Sequence, residues 1–123
     1  MLFRSVEVYD VAKDSWVATL PQRMPTARSG VGFGVFGGRL LVAGGEWQDS
    51  VTQTAFRAFE AYNPETDTWQ SMPSLEIARH GVASAVVGDK FIVVSGDVQS
   101  SGSGIPASTV RADAFIFGPT IGK

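Results

Sequence analysis

The sequence predicts an all-β chain built from repeats of one four-stranded antiparallel sheet, and three observations carry that prediction. The first is internal repetition. Arg28-Ser29-Gly30-Val31 returns as Arg79-His80-Gly81-Val82, an offset of 51 residues (28 to 79). Leu40-Leu41-Val42-Ala43-Gly44-Gly45 returns at the same offset as Phe91-Ile92-Val93-Val94-Ser95-Gly96. At an offset of 53 (7 to 60), Glu7, Tyr9, Asp14 and Trp16 fall on Glu60, Tyr62, Asp67 and Trp69. The second is a period of two: residues 30–36, GVGFGVF, alternate glycine with Val31, Phe33 and Val35, and side chains alternate across a strand. The third is that no 3.6-residue apolar pattern persists, while β-branched residues and glycine recur throughout, which argues against helix.

Each element of the unit follows. The first strand, GVGFGVF or GVASAVV, has one nearly bare face in both copies, which suits a strand packed where neighbouring sheets converge. Gly37-Gly38, or Gly88-Asp89, is a two-residue hairpin connection. The second strand, RLLVAGG or KFIVVSG, is apolar at consecutive positions, as when both faces are buried. A long connection leads to the third strand, VEVY, FEAY or AFIF, in which Val6 and Val8 alternate with Glu7 and Tyr9. A polar turn then leads to a short fourth strand carrying the tryptophan.

Composition narrows the function classes. The 123 residues contain 44% hydrophobic and 18% charged residues, with a net charge of −2. Such a balance supplies no basic footprint for nucleic acid or acidic membranes. No run of about 18 apolar residues suggests a membrane span, and the start lacks the pattern of a signal peptide. Cysteine is absent, which excludes disulfides, thiolate metal sites and cysteine catalysis but leaves the compartment open. One histidine and scattered carboxylates form no metal-ligand spacing, so no cofactor is expected. GVGFGVFGG lacks the Gly-Lys-Ser/Thr ending of a phosphate loop and no helix follows it.

The period near fifty, Gly44-Gly45 at the end of the second strand, and the pairs Tyr9/Trp16 and Tyr62/Trp69 resemble the kelch repeat. Two departures stand out: Ser95 replaces the first glycine of the second pair, and Phe117-Gly118 stands where a Tyr-Asp step is expected. The resemblance implies β-propeller blades, in a family whose rings close with six or seven. By phase, residues 1–27 supply strands three and four of a first blade with an inter-blade loop. Residues 28–71 make a complete blade, and 72–123 a second blade lacking its fourth strand. About two blades would leave two apolar sheet faces open to water. A segment of a larger propeller, or a self-assembling partial propeller such as a trimer of two-blade units, would cover them.

Recurring residues read as scaffold, because every blade needs them: Tyr9, Trp16, Gly44, Gly45, Tyr62, Trp69 and Gly96. The aromatic residues are expected to pack between blades, and Arg28 and Arg79 to pair with carboxylates or carbonyls, with Glu7 and Glu60 as candidates. Unique residues on loops are the functional candidates. The connection after Gly45 carries Glu46, Trp47, Gln48 and Asp49, and Trp47 meets only Val98 in the second copy. This loop is the candidate partner-binding site, with Arg28, Arg79 and His80 as weaker candidates. The serine- and glycine-rich connection after Gly96 is expected to be mobile. A protein partner is the leading expectation, with self-assembly possible and neither nucleic acid nor membrane indicated. The alternative is part of a sugar-active propeller enzyme of the sialic acid mutarotase type, its site gathering Arg28, Arg79, His80 and Glu46. A copper-containing galactose oxidase site would need a cysteine.

Overall fold

The computed structural model describes residues 3–100 and 107–118. Every regular element among them is a strand: β1 (Tyr9–Asp10), β2 (Ser15–Trp16), β3 (Gly32–Phe36), β4 (Arg39–Ala43), β5 (Glu46–Gln48), β6 (Gln53–Ala55), β7 (Phe59–Asn63), β8 (Thr68–Ser71), β9 (Ala83–Val87), β10 (Lys90–Val94) and β11 (Ala112–Ile116). They form a four-stranded sheet β3-β4-β7-β8, a three-stranded sheet β9-β10-β11 and the hairpin β1-β2. A two-stranded ribbon, β5-β6, projects from the connection between β4 and β7. All the pairings are antiparallel. The architecture is that of kelch-type propeller blades in an unclosed array.

Local chemistry sets the hairpins. Gly37 and Gly38 both lie at positive φ, 56° and 73°, as a turn that follows the twist of its strands requires. Asp14 and Asp67 occupy the same left-handed region at 48° and 50°, where a short polar side chain is tolerated.

Register corrects one detail of the repeat. In the first blade Val42 pairs with Glu60 and Leu40 with Tyr62. In the second, Val93 pairs with Asp113 and Phe91 with Phe115. Phe115, not Phe117, therefore holds the tyrosine position, two residues earlier than the sequence pattern suggests. Phe117 is buried instead and stacks on Phe36 with ring centroids 4.7 Å apart. The expected lack of a fourth strand in this blade concerns residues 119–123, outside the described residues.

The core lies between the blades. Leu41, Ala43, Phe59 and Ala61 of the first sheet meet Phe91, Val93 and Phe117 of the second chain half, and Leu75 of the connecting segment closes the cluster. Phe59 sits 5.3 Å from Phe91 and 4.6 Å from Phe115, centroid to centroid, a separation at which aromatic pairs attract beyond their area burial. The bare face of β3 is what permits this approach. A Cβ added to Gly32 or Gly34 would come within 2.8 Å of Val82 or Val86.

The opposite faces of the two blades are open. Phe33 and Val35 are 66% and 65% exposed on one side, and Val87 and Ile116 are 58% and 66% exposed on the other.

Candidate functional site

The two repeated arginines are buried. Arg28, 2% exposed, donates from Nη1 to Glu60 Oε2 (2.8 Å) and from Nη2 to the Val42 carbonyl (3.0 Å). Arg79, fully buried, donates from Nη2 to Asp113 Oδ2 (2.6 Å) and to the Val93 carbonyl (3.1 Å). Both arginines thus clamp the second strand to an acid on the third. Burial lowers the Arg28 pKa from its ordinary value, against the opposing pull of Glu60. The acid serving Arg79 is Asp113, so Glu7, which is exposed, is not its partner. Asp113 shares the register position of Glu60, and a shorter acid hid the repeat in the sequence.

Tyr62 packs against Trp69 with tilted rings 5.1 Å apart and donates its hydroxyl to Asp67 (2.8 Å). Burial, and then that bond, push the Tyr62 pKa up to about 12. Trp69 reaches back to the inter-blade segment, donating Nε1–H to the Gln22 carbonyl (3.0 Å). Tyr9 and Trp16 pair edge-on at 5.2 Å, and Tyr9 donates to Asp14. They remain 42% and 64% exposed, whereas Trp69 is partly buried.

Gly44 and Gly45 lie at φ 68° and 108°. A Cβ on Gly44 would fall 2.5 Å from the Arg79 carbonyl oxygen of the next blade. Ser95 takes the corresponding place at φ 59° and donates its hydroxyl to the Thr109 carbonyl (3.0 Å).

The loop that sequence reading singled out is an ordered ribbon. Trp47 sits in β5 opposite Thr54, half-buried, and its Nε1–H donates to Asp49 Oδ2 (2.8 Å). Asp49 Oδ1 caps the turn, accepting the main-chain N–H of Val51 (2.8 Å) and Thr52 (2.6 Å). The Thr52 N–H, then the Trp47 indole and the Val51 N–H, hold the Asp49 carboxyl below its usual range. Gln48 is exposed beside them. The ribbon was not legible in the sequence, although Asp49 and the polar residues after it carry the signal of a turn.

Glu46 links the ribbon to both blades. Its main chain exchanges bonds with Ser29 (2.8 and 3.0 Å). Its carboxylate accepts the Ser100 hydroxyl (2.9 Å) and lies 3.4 Å from His80 Nδ1. His80 Nε2 is 2.6 Å from the Gln99 carbonyl. Both ring nitrogens therefore face oxygens, and Ser100 addresses the carboxylate and not the imidazole. A nucleophile–base relay needs the opposite order. The sugar-site expectation is not favoured: two of its residues, Arg28 and Arg79, are buried within the blades. Among the described residues, the loop edge of the molecule is built from the ribbon and from residues 97–100, with residues 101–106 of the second connection outside the described set.

Comparison with known proteins agrees with this geometry. A family model described as the Kelch motif matches residues 27–76, the span that holds the complete four-stranded blade. Over that span the chain carries a kelch repeat. The chain is 27% identical over 90 residues to the Kelch-like protein terF of Aspergillus terreus, a match covering 73% of this chain and 19% of that protein. It is 30% identical over 88 residues to the human Influenza virus NS1A-binding protein, covering 72% and 13%. It is 30% identical over 95 residues to the Kelch repeat and BTB domain-containing protein 1 of ectromelia virus, covering 76% and 16%. The chain thus spans less than a fifth of each of these relatives. Among solved structures, that of YjhT superposes with a TM-score of 0.68 at 22% identity, covering 78% of this chain and 28% of that one. That likeness concerns the fold.

Proposed function

We propose that this chain is a protein-interaction module whose loop edge, centred on Glu46, Trp47, Gln48 and Asp49, receives a protein partner. The observation that carries the reading is the β5-β6 ribbon: an aromatic residue absent from the second repeat, held by Asp49 on a projecting, internally bonded element. A tryptophan pre-set in this way offers a large contact area at low ordering cost. The names of two relatives point the same way, one being called an NS1A-binding protein and another carrying a BTB domain beside its kelch repeats. We read residues 1–27, 28–71 and 72–123 as successive blade units. In the working protein the open faces bearing Phe33, Val35, Val87 and Ile116 are covered by further blades, or by other copies of the chain. The test is a short-peptide display library panned on the purified chain and on its Trp47→Ala variant. Peptides enriched on the former and lost from the latter support the reading; no enrichment, or enrichment indifferent to Trp47, counts against it.

A further inference from the structure

We infer that Glu7, Tyr9, Asp14 and Trp16 form a preset receptor for an arginine-bearing strap, the extended segment that leads into the first strand of a further blade. The inference uses none of the loop-edge residues and goes beyond the interaction-module reading, so the two can fail separately.

The first blade holds such a strap in place. Residues 22–28 run from the β1-β2 hairpin into that blade. The main chain of Gln22 is gripped on both sides: its N–H donates to Asp67 Oδ1 (2.8 Å), and its carbonyl accepts the Trp69 indole N–H (3.0 Å). Further along, the Thr26 hydroxyl donates to Glu60 Oε1 (2.6 Å) and the Arg28 guanidinium to Glu60 Oε2 (2.8 Å). Tyr62 steadies Asp67 through its hydroxyl. The gripping set is thus Glu60, Tyr62, Asp67 and Trp69.

The hairpin carries the same set at an offset of 53 (7 to 60), as Glu7, Tyr9, Asp14 and Trp16. Register agrees: Tyr9 pairs with Trp16 as Tyr62 pairs with Trp69. The Val17 N–H bonds the Val8 carbonyl (2.8 Å), so the ladder runs far enough to put Glu7 on the face of Tyr9, since alternate residues share a face. Asp14 repeats the left-handed turn of Asp67, φ 48° against 50°, and accepts the Tyr9 hydroxyl as Asp67 accepts that of Tyr62. The ring centroids stand 5.2 and 5.1 Å apart, with planes at 64° in the hairpin and 39° in the blade. Exposure separates the two sets. Glu60 and Tyr62 are buried where the strap lies, while Glu7, Tyr9, Asp14 and Trp16 are all exposed. Glu7 and Trp16, with Val17 and Leu20, line one groove of about 280 Å³, so the carboxylate and the indole border the same space.

The seated strap defines the occupant. Asp14 and the Trp16 indole offer one acceptor and one donor, the complement of a single residue's N–H and carbonyl, and Glu7 offers a carboxylate to an arginine. In a second copy of this chain both straps are already engaged, Arg28 on Glu60 and Arg79 on Asp113. The occupant is therefore the strap of a further blade, with the chemistry of residues 20–28: a Leu-Pro-Gln start and an arginine in the place of Arg28. Proline holds the residue before it extended, which lowers the cost of ordering the segment.

The test adds a synthetic peptide with the sequence of residues 18–29 to the whole chain and follows the tryptophan indole N–H signals by NMR. The Trp16 signal should move downfield and saturate at roughly millimolar peptide, as two main-chain bonds and one charged pair would give, while the Trp69 signal stays in place. Arg28→Ala in the peptide should weaken binding about tenfold. Glu7→Gln in the chain should weaken the parent peptide by a similar factor, and in that variant the peptide's Arg28→Ala should cost less than about twofold. Trp16→Phe keeps a ring and removes the donor, and should weaken the peptide roughly fivefold, read from the Tyr9 ring signals. An unmoved Trp69 indole signal checks that each variant keeps its fold. No saturable movement of the Trp16 signal, or binding indifferent to Glu7→Gln or to Trp16→Phe, would overturn the proposal and leave the loop-edge reading untouched. Movement of the Trp69 signal alone would mean that the peptide takes the place of residue 22 and not the hairpin, which overturns it as well. Movement of the Trp16 signal on raising the chain concentration without peptide would identify a second copy as the occupant, against the proposal.

Discussion

Arg28 and Glu60 meet at 2.8 Å across the first blade, with side chains 0% and 6% exposed, and Arg79 repeats the contact with Asp113 in the second, at 2.6 Å with 0% and 14%. The pair closes each sheet at the same register. Removing one charge leaves the other buried without compensation, which costs about 3–5 kcal/mol for a fully buried pair. Glu60→Gln should therefore destabilise strongly, and Asp113→Asn less, because its carboxylate is more open. Urea denaturation of the two variants checks the order.

Gly44 and Ser95 occupy the same place in successive blades, yet they should respond differently to substitution. Gly44→Ala drives a Cβ onto the Arg79 carbonyl at positive φ, and a backbone shift of that kind costs about 1–3 kcal/mol. Ser95→Gly relieves a left-handed serine but loses its bond to Thr109, two effects of similar size that should leave it within about 1 kcal/mol of the parent chain. Thermal melts of both variants measure the contrast.

Tyr62 gives a signature in alkali. Its pKa is raised from 10.0 to about 12 in the fold, so the folded state holds its proton more tightly than the unfolded chain. The associated stability is complete below the unfolded value and is lost as pH rises from there through the folded value. Tyr62→Phe should thus show a shallower decline in denaturation midpoint between about pH 10 and pH 12 than the parent chain.

Asp49 gives the opposite sign in acid. Its pKa is lowered from 3.8, so its contribution to the ribbon is present above the unfolded value and disappears as pH falls through the folded one. The indole N–H signal of Trp47 should move with a midpoint below that of a free aspartate. In Asp49→Asn the movement should be absent, which an NMR titration of the two chains decides.

Burial of Phe91 at the centre of the inter-blade core predicts a loss of about 3–5 kcal/mol in Phe91→Ala. Phe33→Ala, on an open face, should change stability far less. Equal losses would contradict the placement of the core.

Much of the fold was legible because a repeat is its own control. A residue that returns at a fixed offset marks a position every blade needs, and glycine alternating with valine fixes strand, face and turn from local rules. Where side chains changed identity, the pattern misled. Asp113 for Glu60 and Phe115 for Tyr62 preserve the contact geometry but not the letters, so the third strand was placed two residues late and the partner of Arg79 was missed. The loop candidates Glu46, Trp47, Gln48 and Asp49 could be named, since they lack counterparts, but not their arrangement.

The sequence by itself determined the strand-forming unit, its period, the glycine turns and the candidate loop, because these depend on backbone preference and alternation within a few residues. Tertiary structure alone decided what the loop became. It became a ribbon whose Glu46 meets His80 and Ser100, contacts that only the packing of one blade on the next brings together. Tertiary packing also decided that the arginines are buried and paired: a guanidinium reads the same in a sequence whether it faces solvent or closes a sheet, and only the packing around Arg28 and Arg79 distinguishes the two.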